Sequence, residues 1–226
     1  MAAEPTRVNI RTRSGRVNVM AAEGAGFSVT GANIEYDADG SVLITGAKHG
    51  ANRVEVQCAT GTDLIIGTLS GHVEVRGRSG DTRVTTRSGR IDVEHASKVD
   101  VRTGSGHVTI GVCDGSCHVV TKSARVNIGR AGSVDVAGMS GHVEIDEADH
   151  AIIRTMSGRV DLGTKSDGRV EVRTLSGKVH VAVPRARRPA TQLKSLAGRV
   201  HCECEVGNDG EIDVATTSGA ISVTCK

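Results

Sequence analysis

Apolar and polar residues alternate along most of the chain, and the alternation restarts in the same phase after each Ser-Gly pair. In residues 87–110, RSGRIDVEHASKVDVRTGSGHVTI, Ile91 and Val93 follow one Ser-Gly pair, and Val108 and Ile110 follow the next. Alternation with a period of two is typical of a β-strand that buries one face. The pattern therefore predicts two short strands per repeat, one before and one after a Ser-Gly corner.

The Ser-Gly pair, or a close variant of it, recurs through the whole chain. It occurs at Ser14, Ser70, Ser88, Ser105, Ser123, Ser140, Ser157, Ser176, Ala197 and Ser218. The first step between these positions is 56 residues long, which leaves room for about three more turns. Weaker turn signals near Thr30-Gly31 and His49-Gly50 mark where those turns should close. A glycine permits a positive φ at a sharp bend, and Ala124 is the exception at these corners.

Strands this short cannot bury their faces alone, so successive repeats must stack on one another. Stacking in parallel at ~4.8 Å gives a continuous core of valine and isoleucine. We therefore predict an all-β fold, a parallel β-solenoid of about 12 coils of ~17–21 residues with Ser-Gly corners, as a single domain over residues 1–226. The threonines two residues before each serine share the inward face, so their hydroxyls should bond to backbone or to each other. A β-propeller or a β-sandwich is the alternative.

The composition is poor in aromatic residues, with no Trp, one Tyr and one Phe, and the formal net charge is only +2. Without stacking platforms or a strong positive field, we expect no nucleic-acid partner. The apolar runs are too short for a membrane span, and the first residues, Met1–Pro5, do not form a signal peptide. We therefore expect a cytoplasmic protein. In a reducing compartment the six cysteines should be thiols; they are Cys58, Cys113, Cys117, Cys202, Cys204 and Cys225.

The recurring Ser-Gly-x-Val-x-Val, followed by Val-x-Val-x-Thr, runs from about Val8 to Val223. It resembles the bacterial putative-adhesin domain family, a β-solenoid family whose function is not established. The resemblance covers nearly the whole chain and implies a structural or binding scaffold. The family name would imply an exported, surface-attached protein, and the sequence departs from that because no signal or anchor is visible. The repeat period also resembles bactofilins, which polymerise end to end, and this resemblance implies a self-assembling cytoskeletal element as the alternative.

The first outward column after the corner is mostly basic and is the leading candidate for a binding surface. It contains Arg16, His72, Arg90, His107, Arg125, His142, Arg159, Lys178 and Arg199, with Ala220 last. A second outward column, two residues further on, is mainly acidic or polar. The two columns favour either a solubilising face with weak ion pairs or a linear site for a protein or an anionic polymer.

A Pro-bounded stretch over residues 184–190 interrupts the repeat, because two prolines should force it out of the sheet as a stiff loop. Arg185, Arg187 and Arg188 make it the densest basic spot in the sequence. It is either a solvated loop or a docking loop for an acidic partner.

The most metal-like stretch is residues 201–204, where a strand would point His201 and Glu203 to one face and Cys202 and Cys204 to the other. Cys202 falls in an inward column, so a core thiol is expected there. His180 should lie one coil below His201, but we expect no metal and no cofactor.

No catalytic set stands out, because every serine of the repeat occupies an equivalent corner. We therefore expect no enzymatic activity, although a polysaccharide-acting β-helix enzyme is the less favoured alternative. No capping helix is visible at either end of the repeat. Uncapped terminal strands present unpaired edges, which predicts a homo-oligomer formed through the solenoid ends.

Overall fold

The structure is a computed structural model that describes residues 5–37, 41–47, 53–165 and 168–225. The regular elements in these ranges are all β-strands, which confirms the all-β prediction. No helix that could cross a membrane occurs in the part of the chain that the structure describes. The strands are β1 Arg7–Arg11, β2 Ser14–Ala22, β3 Ser28–Thr30, β4 Ala32–Tyr36, β5 Ser41–Ala47, β6 Arg53–Ala59, β7 Asp63–Thr164, β8 Arg169–Val183, β9 Ala190–Ala197, β10 Val200–Cys202, β11 Glu211–Ser218 and β12 Ile221–Cys225.

Contacts within the chain divide it into two compact units, Met1–Asp114 and Gly115–Lys226. The long strand β7 contributes residues to both. All 102 of its residues have strand conformation, and the chain changes direction at the glycine corners. In unit 1, for example, a Cβ placed on Gly106 would collide with the carbonyl oxygen of Gly89, so these two corners lie directly against each other.

In unit 1 the strands around the first two Ser-Gly corners are parallel neighbours. Strand β1 lies between β5 and β7, and strand β2 lies between β6 and β7. The register places Ser14 opposite Ser70 and Arg16 opposite His72, as equivalent positions of the repeat. The sequence pattern therefore predicted which residues align, although these two repeats are 56 residues apart in the chain.

The expected three turns between Ser14 and Ser70 are wrong. Because Ser14 pairs directly with Ser70, the residues between them cannot form further turns in sequence order. Instead β5 and β6 form the outer parallel strands, while β4 pairs with β5 and β3 pairs with β6 in the antiparallel direction. The turn signal at Thr30-Gly31 lies between β3 and β4. The one at His49-Gly50 lies outside the described residues.

The antiparallel strands cover the outer edge of unit 1. Inward side chains of β5 and β6 are fully enclosed, with Ile44 at 0% exposure and Val54 and Val56 also buried. The expectation of an uncapped terminus is therefore wrong at this edge. The cover consists of strands, because β4 pairs along β5 and β3 pairs with residues 55–57 of β6.

In unit 2 the spatial order of the last strands differs from their order in the chain. Strand β11 pairs with β8 on one side and with β9 on the other, and strand β12 pairs in the same way with β8 and β10. The last two strands are therefore inserted between β8 and the earlier pair β9 and β10. The register again aligns the repeats, with Thr174, Thr216 and Ser195 on three neighbouring strands.

The predicted inward columns of unit 2 are buried where a strand lies on both sides. Ile153, Val172 and Val214 are all 0% exposed. In the outermost strands β9 and β10 the same columns open to solvent, so Leu193 is only half-buried and Val200 is 45% exposed. No described residue covers this edge with a further strand.

Two predictions about the cysteines are wrong. Cys204 and Cys225 form a disulfide, so the chain does not hold six thiols. Spacing could not show this pairing, because β12 inserts beside β10 and brings the two sulfurs together. Cys202 is an exposed thiol instead of a core residue, since its strand β10 lies at the open edge. Cys58, Cys113 and Cys117 are buried, and burial raises the pKa of the Cys58 thiol.

The corner at Ala124 keeps an ordinary backbone. No described residue other than glycine has a positive φ, so the corner there is not left-handed. In unit 2 the next corner, at Gly141, has a φ of 144° and lies so close to the carbonyl oxygen of Ala124 that a Cβ would collide with it. Glycine is therefore required at Gly141 for both its φ and the close approach.

Candidate binding surfaces

The predicted basic column forms a continuous row in unit 1. Arg16 lies opposite His72 on one side and opposite Arg53 on the other. Arg53 was missed in the sequence because its strand, β6, is placed out of sequence order. Together with Gly15, these side chains line a shallow cleft of about 390 Å³.

Acidic neighbours offset much of the positive charge in this row. Arg53 Nε lies 3.1 Å from Glu55 Oε1, and His72 Nε2 lies 3.1 Å from Asp92 Oδ2. Arg76 Nε donates to Glu74 at 2.8 Å, and this hydrogen bond holds the pKa of the Glu74 carboxyl below its usual range. The surface is thus a network of weak exposed ion pairs, and each contributes little to stability.

The remaining members of the row in unit 1, Arg90 and His107, are exposed and make no ion pair within the described ranges. Close by, Asp114 is held by His95, whose Nε2 is 3.0 Å from Asp114 Oδ2. This contact and the Arg78 guanidinium lower the pKa of the Asp114 carboxyl. Among the described residues, the charged face of unit 1 therefore has basic side chains both with and without an acidic partner.

In unit 2 the row holds Arg125, His142, Arg159, Lys178 and Arg199. His142 Nε2 and Arg159 Nε share the carboxylate of Asp161, at 3.5 and 2.7 Å from Oδ2. Ala220 is not last in this row, as the sequence order suggested. It lies between Lys178 and Arg199, because its strand is inserted there and backbone bonds join Ala220 to Val179 and Ile221 to Arg199. The cationic row is interrupted at that strand.

The basic loop lies between β8 and β9, and its three arginines differ in surroundings. Arg185 and Arg188 are exposed, whereas Arg187 is half-buried. Arg188 Nε lies 3.0 Å from Glu205 Oε2, and the Arg188 amide donates to Asp209 Oδ2 at 3.0 Å. The loop is therefore partly neutralised by the segment that follows β10.

The metal-like stretch does not assemble a metal site. His201 Nε2 lies 3.2 Å from Glu203 Oε1. His180 is not the neighbour of His201, because Ser222 on the inserted strand β12 pairs with both residues. Within the described part of the chain, no three His, Cys, Asp or Glu side chains come together as a metal-binding group.

A groove of about 990 Å³ on unit 2 is a surface that the sequence analysis missed. One wall consists of exposed apolar side chains, Met156, Leu175 and Leu196, which are 51%, 53% and 86% exposed. The groove runs across neighbouring strands, and on β11 the apolar wall continues with Thr217, which lies between Leu175 and Leu196. Five aligned strand segments contribute to it: Ala137–Gly138, Arg154–Met156, Arg173–Leu175, Ala215–Thr217 and Leu193–Leu196.

The opposite wall of the groove is basic. This wall contains Arg154, Arg173 and Lys194, and Ala215 on β11 lies between Arg173 and Lys194. Arg173 is held by Asp213, to which Nη1 donates at 2.9 Å, and this pairing raises the pKa of the Arg173 guanidinium.

The two other cations on this wall are less engaged. Arg154 Nη1 lies 3.8 Å from Asp135 Oδ1, and Lys194 forms no ion pair with any described residue. Among the described residues of this wall, Lys194 is therefore the cation without a carboxylate partner, and Arg154 is held by a long ion pair.

The threonine row lies beneath the groove, with its side chains facing the core. Thr174 and Thr216 are more than nine-tenths buried, and their Oγ1 atoms have no hydrogen-bond partner. On the strand before them, Thr155 Oγ1 donates to the carbonyl oxygen of Ser157 at 2.9 Å. The prediction that these hydroxyls bond to backbone is confirmed for Thr86, Thr103 and Thr155. It is wrong for the five members of the row whose Oγ1 atoms have no partner, which are Thr12, Thr68, Thr121, Thr174 and Thr216.

A readable signal for the groove was present in the sequence. The residue directly before each corner serine lies in an outward column, yet it is apolar in several repeats: Leu69, Met139, Met156, Leu175 and Leu196. An apolar residue in an outward column is a signal for a contact surface. The sequence prediction rested on the inward columns and the charged outward columns, so this apolar outward column was missed.

The fold of the chain is similar to that of two solved bacterial proteins. A putative adhesin from Parabacteroides distasonis matches with a TM-score of 0.57 at 10% identity, over 97% of this chain and 93% of the other. A putative adhesin from Parabacteroides merdae matches with a TM-score of 0.56 at 11% identity, over 98% of this chain and 92% of the other. Neither the known protein families nor the characterised proteins gave a match by sequence. At these identities the similarity concerns the fold.

Proposed function

We propose that the protein is a non-catalytic binding scaffold, built as a parallel β-solenoid, that presents aligned rows of side chains to a macromolecular partner. The parallel register supports the solenoid, since equivalent residues of successive repeats lie opposite one another in each unit. The two Parabacteroides proteins named as putative adhesins support a binding role. The groove of unit 2 is the observation that carries the proposal, because it combines an exposed apolar row with a basic row.

The binding mechanism follows from repetition. Neighbouring parallel strands lie ~4.8 Å apart, so a partner that contacts one strand meets an equivalent side chain on the next. Many weak contacts then act together, and the effective concentration at each additional contact is high. In this scheme the ion-paired charged rows keep the surface hydrated and guide a charged partner, while the apolar row contributes most of the affinity.

Self-association through the open edge is a second proposal. Within the described part of the chain, strands β9 and β10 each pair on one side only, and Val200 is 45% exposed there. A homo-oligomer through this end would cover that edge, and a bactofilin-like assembling element is the extended form of the same idea. Sedimentation at micromolar concentration should show a dimer or short polymer, and a monomer at all concentrations would contradict it. Filaments in electron micrographs would favour the assembling element.

The disulfide bears on the compartment. Disulfides persist in oxidising compartments and are rare in the cytosol. The bond between Cys204 and Cys225 therefore weighs against the cytoplasmic prediction and supports an exported protein. The proposal therefore includes an exported location, and it also includes the lack of enzymatic activity.

The experiment that tests the binding role compares three forms of the protein as baits in affinity purification from the source cell. The double variant Met156→Glu and Leu175→Glu removes the apolar wall at two half-exposed positions, so the fold should survive. The variant Val120→Glu is the matched control, because Val120 is also an exposed apolar residue of unit 2 but lies outside the groove. A partner retained by the wild type and the control, and lost from the double variant, supports the proposal. Equal recovery by all three would overturn it.

A further inference from the structure

We infer that the open edge of unit 2 binds an extended segment of another protein, which adds to β9 as an antiparallel strand and places an acidic residue opposite Lys194. The inference rests on the proposed binding function, because it names the class of partner and the strand that receives it. Three features of the molecule support it: the backbone groups of β9 that face away from β11, the strand on the equivalent edge of unit 1, and the side chains of β9.

Half of the backbone groups of β9 face the open side of the sheet. The Ala190 amide donates to the carbonyl oxygen of Gly210 at 2.9 Å, so Ala190 points its backbone groups toward β11. The backbone groups of successive residues in a strand point alternately to its two sides. The N–H and C=O groups of Thr191, Leu193 and Ser195 therefore point away from β11, and no described strand pairs with them. Such a row of unpaired groups is a template for one more strand.

Unit 1 shows which kind of strand this edge accepts. Strand β5 occupies the same place in the repeat as β9, because Ile44 pairs with Ile10. Ile10 lies four residues before its corner position, as Leu193 does. In unit 1 this strand is covered by β4 in the antiparallel direction, with Ile34 opposite Ile44. The same arrangement on β9 places an apolar residue of the partner opposite Leu193.

The side chains of β9 specify the rest of the partner's chemistry. Residues directly opposite each other in an antiparallel pair lie on the same face of the sheet. An acid opposite Lys194 meets a lysine that forms no ion pair with any described residue. An apolar residue opposite Leu196 covers a side chain that is 86% exposed, and it extends the apolar row of the groove by one strand. In its own direction the partner strand therefore carries an apolar residue, a small residue, an acid and another apolar residue.

A second copy of the chain fits this edge less well. The self-association proposal uses the same backbone groups, but neither open strand contains an acid, since β9 is ATQLKSLA and β10 is VHC. Opposite Lys194, an antiparallel second β9 presents Ala190, Gln192, Lys194 or Leu196 on the same face. The lysine then stays without an acid or meets a like charge, which is unfavourable between neighbouring strands. Charge complementarity therefore favours an acidic segment of another protein.

A labelled peptide with two controls tests the pairing. The probe has about 10 residues, and its central stretch, Leu-Thr-Glu-Val-Thr-Val, places glutamate opposite Lys194 and the first valine opposite Leu193. The first control has lysine in place of the glutamate. The second control carries an N-methyl group on the first valine, which removes the N–H that donates to the carbonyl oxygen of Leu193.

Fluorescence anisotropy with the full chain compares the three peptides. The lysine peptide should bind about fivefold more weakly than the probe, because an ion pair is replaced by a like charge. The N-methyl peptide should bind about tenfold more weakly, because backbone pairing is lost while the side chains are unchanged. Equal affinity of the probe and the N-methyl peptide would overturn the inference.

Hydrogen exchange shows which side of β9 the peptide pairs with. The probe should slow exchange at the amides of Thr191, Leu193 and Ser195. The amides of Gln192 and Lys194 point to β11 and should change little. Unchanged exchange at the first three amides would contradict strand addition. Protection of them that needs no peptide and rises with protein concentration would assign the edge to a second copy instead.

Charge reversal on the protein makes the test specific to β9. Lys194→Glu should bind the lysine peptide about fivefold more tightly than the glutamate probe. Lys178→Glu is the matched control, because Lys178 is an exposed lysine of β8, which has strands on both sides. It should keep the preference of the wild type. A Lys194→Glu variant that also keeps this preference would overturn the inference.

Partners from the source cell separate this inference from the wider proposal. If the probe fails to protect β9 while those partners still depend on Met156 and Leu175, the strand-addition inference falls and the binding function stands. If those partners do not depend on the groove, the proposed function itself falls.

Discussion

The outer edges of the two units are built from the same valine and isoleucine pattern but differ in exposure. In unit 1 the outer strands β5 and β6 are covered by β4 and β3, and Ile44 is 0% exposed. In unit 2 the outer strands β9 and β10 have no strand beyond them in the described chain, and Val200 is 45% exposed. The difference shows that burial in this protein depends on the next strand, not on the residue itself.

The same comparison explains where a binding surface can arise. An inward column is buried only while strands lie on both sides of it, so the last strand exposes part of the core. In unit 1 the strands β3 and β4, within residues 28–36, cover the edge and remove that exposure. At the open edge of unit 2 it remains, and Leu193, Leu196 and Val200 there also line the groove.

The two edges should differ most in how much free energy of unfolding is lost when an inward residue is truncated. Ile44→Ala should destabilise the protein by about 3–5 kcal/mol, because it leaves a cavity in a closed core. Leu193→Ala, at the equivalent kind of position in the open edge, should cost less than about 1 kcal/mol, since solvent already reaches it. Urea denaturation of both variants measures the difference. Equal losses would show that the two edges are equally closed.

The disulfide fastens the open edge, and removing it should have the next largest effect. Its sequence separation is 21 residues, and closing a loop of that size stabilises by about 3 kcal/mol in the chain-entropy estimate. Cys225→Ser should therefore raise hydrogen exchange in β11 and β12 while leaving β1 and β2 protected. Cys202→Ser, which removes the exposed thiol, is the control and should change neither. Loss of protection in both units would contradict a local role.

A smaller effect is expected from loosening the cover on unit 1. Gly31 has a φ of 82°, and a Cβ there would collide with the carbonyl oxygen of Arg53. Gly31→Ala should cost about 1–3 kcal/mol and should increase hydrogen exchange at the amides of β5 and β6. Gly26→Ala is the matched control, because Gly26 faces open space without a positive φ. An unchanged exchange rate in Gly31→Ala would show that β3 and β4 do not hold this edge closed.

The smallest effect concerns the charged row of unit 1. Arg76 lowers the pKa of Glu74, so the pair stabilises the fold above the ordinary glutamate pKa of about 4.3, and this stability is lost as the pH falls through the lower folded pKa. Arg76→Ala should cost about 0.5 kcal/mol or less at pH 7 and nothing at pH 2. An NMR titration of the Glu74 carboxyl should show its pKa rise in the variant. Arg87→Ala, an exposed arginine without an ion pair within the described ranges, should leave that titration unchanged.

The repeat allowed the strand phase and the alignment of residues to be predicted from the sequence. Ser14 pairs with Ser70, and Ser157 pairs with Ser176, as the Ser-Gly columns indicated. These alignments follow from local physics, because the alternation fixes which side chains face the core. The basic column was likewise predictable, because its residues lie two positions after each corner serine.

The order of the strands at the edges could not be predicted, because every strand offers the same valine-rich face to every other. Equivalent columns fit equally well whether β8 is followed in space by β9 or by β11. The groove was missed for a related reason, since it depends on which apolar outward residues become neighbours. Leu175 and Leu196 lie on either side of Thr217, and only the inserted strand reveals this.

The inserted strand pair also constrains biosynthesis. Strands β9 and β10 leave the ribosome before β11 and β12, yet among the described strands they pair only with those later ones. They must therefore wait, exposed, until residues 211–225 have been synthesised. The outermost tip of unit 2 is completed by strands that are synthesised after it, and a nascent chain stalled before Glu211 would display an unpaired strand to any chaperone or neighbouring chain.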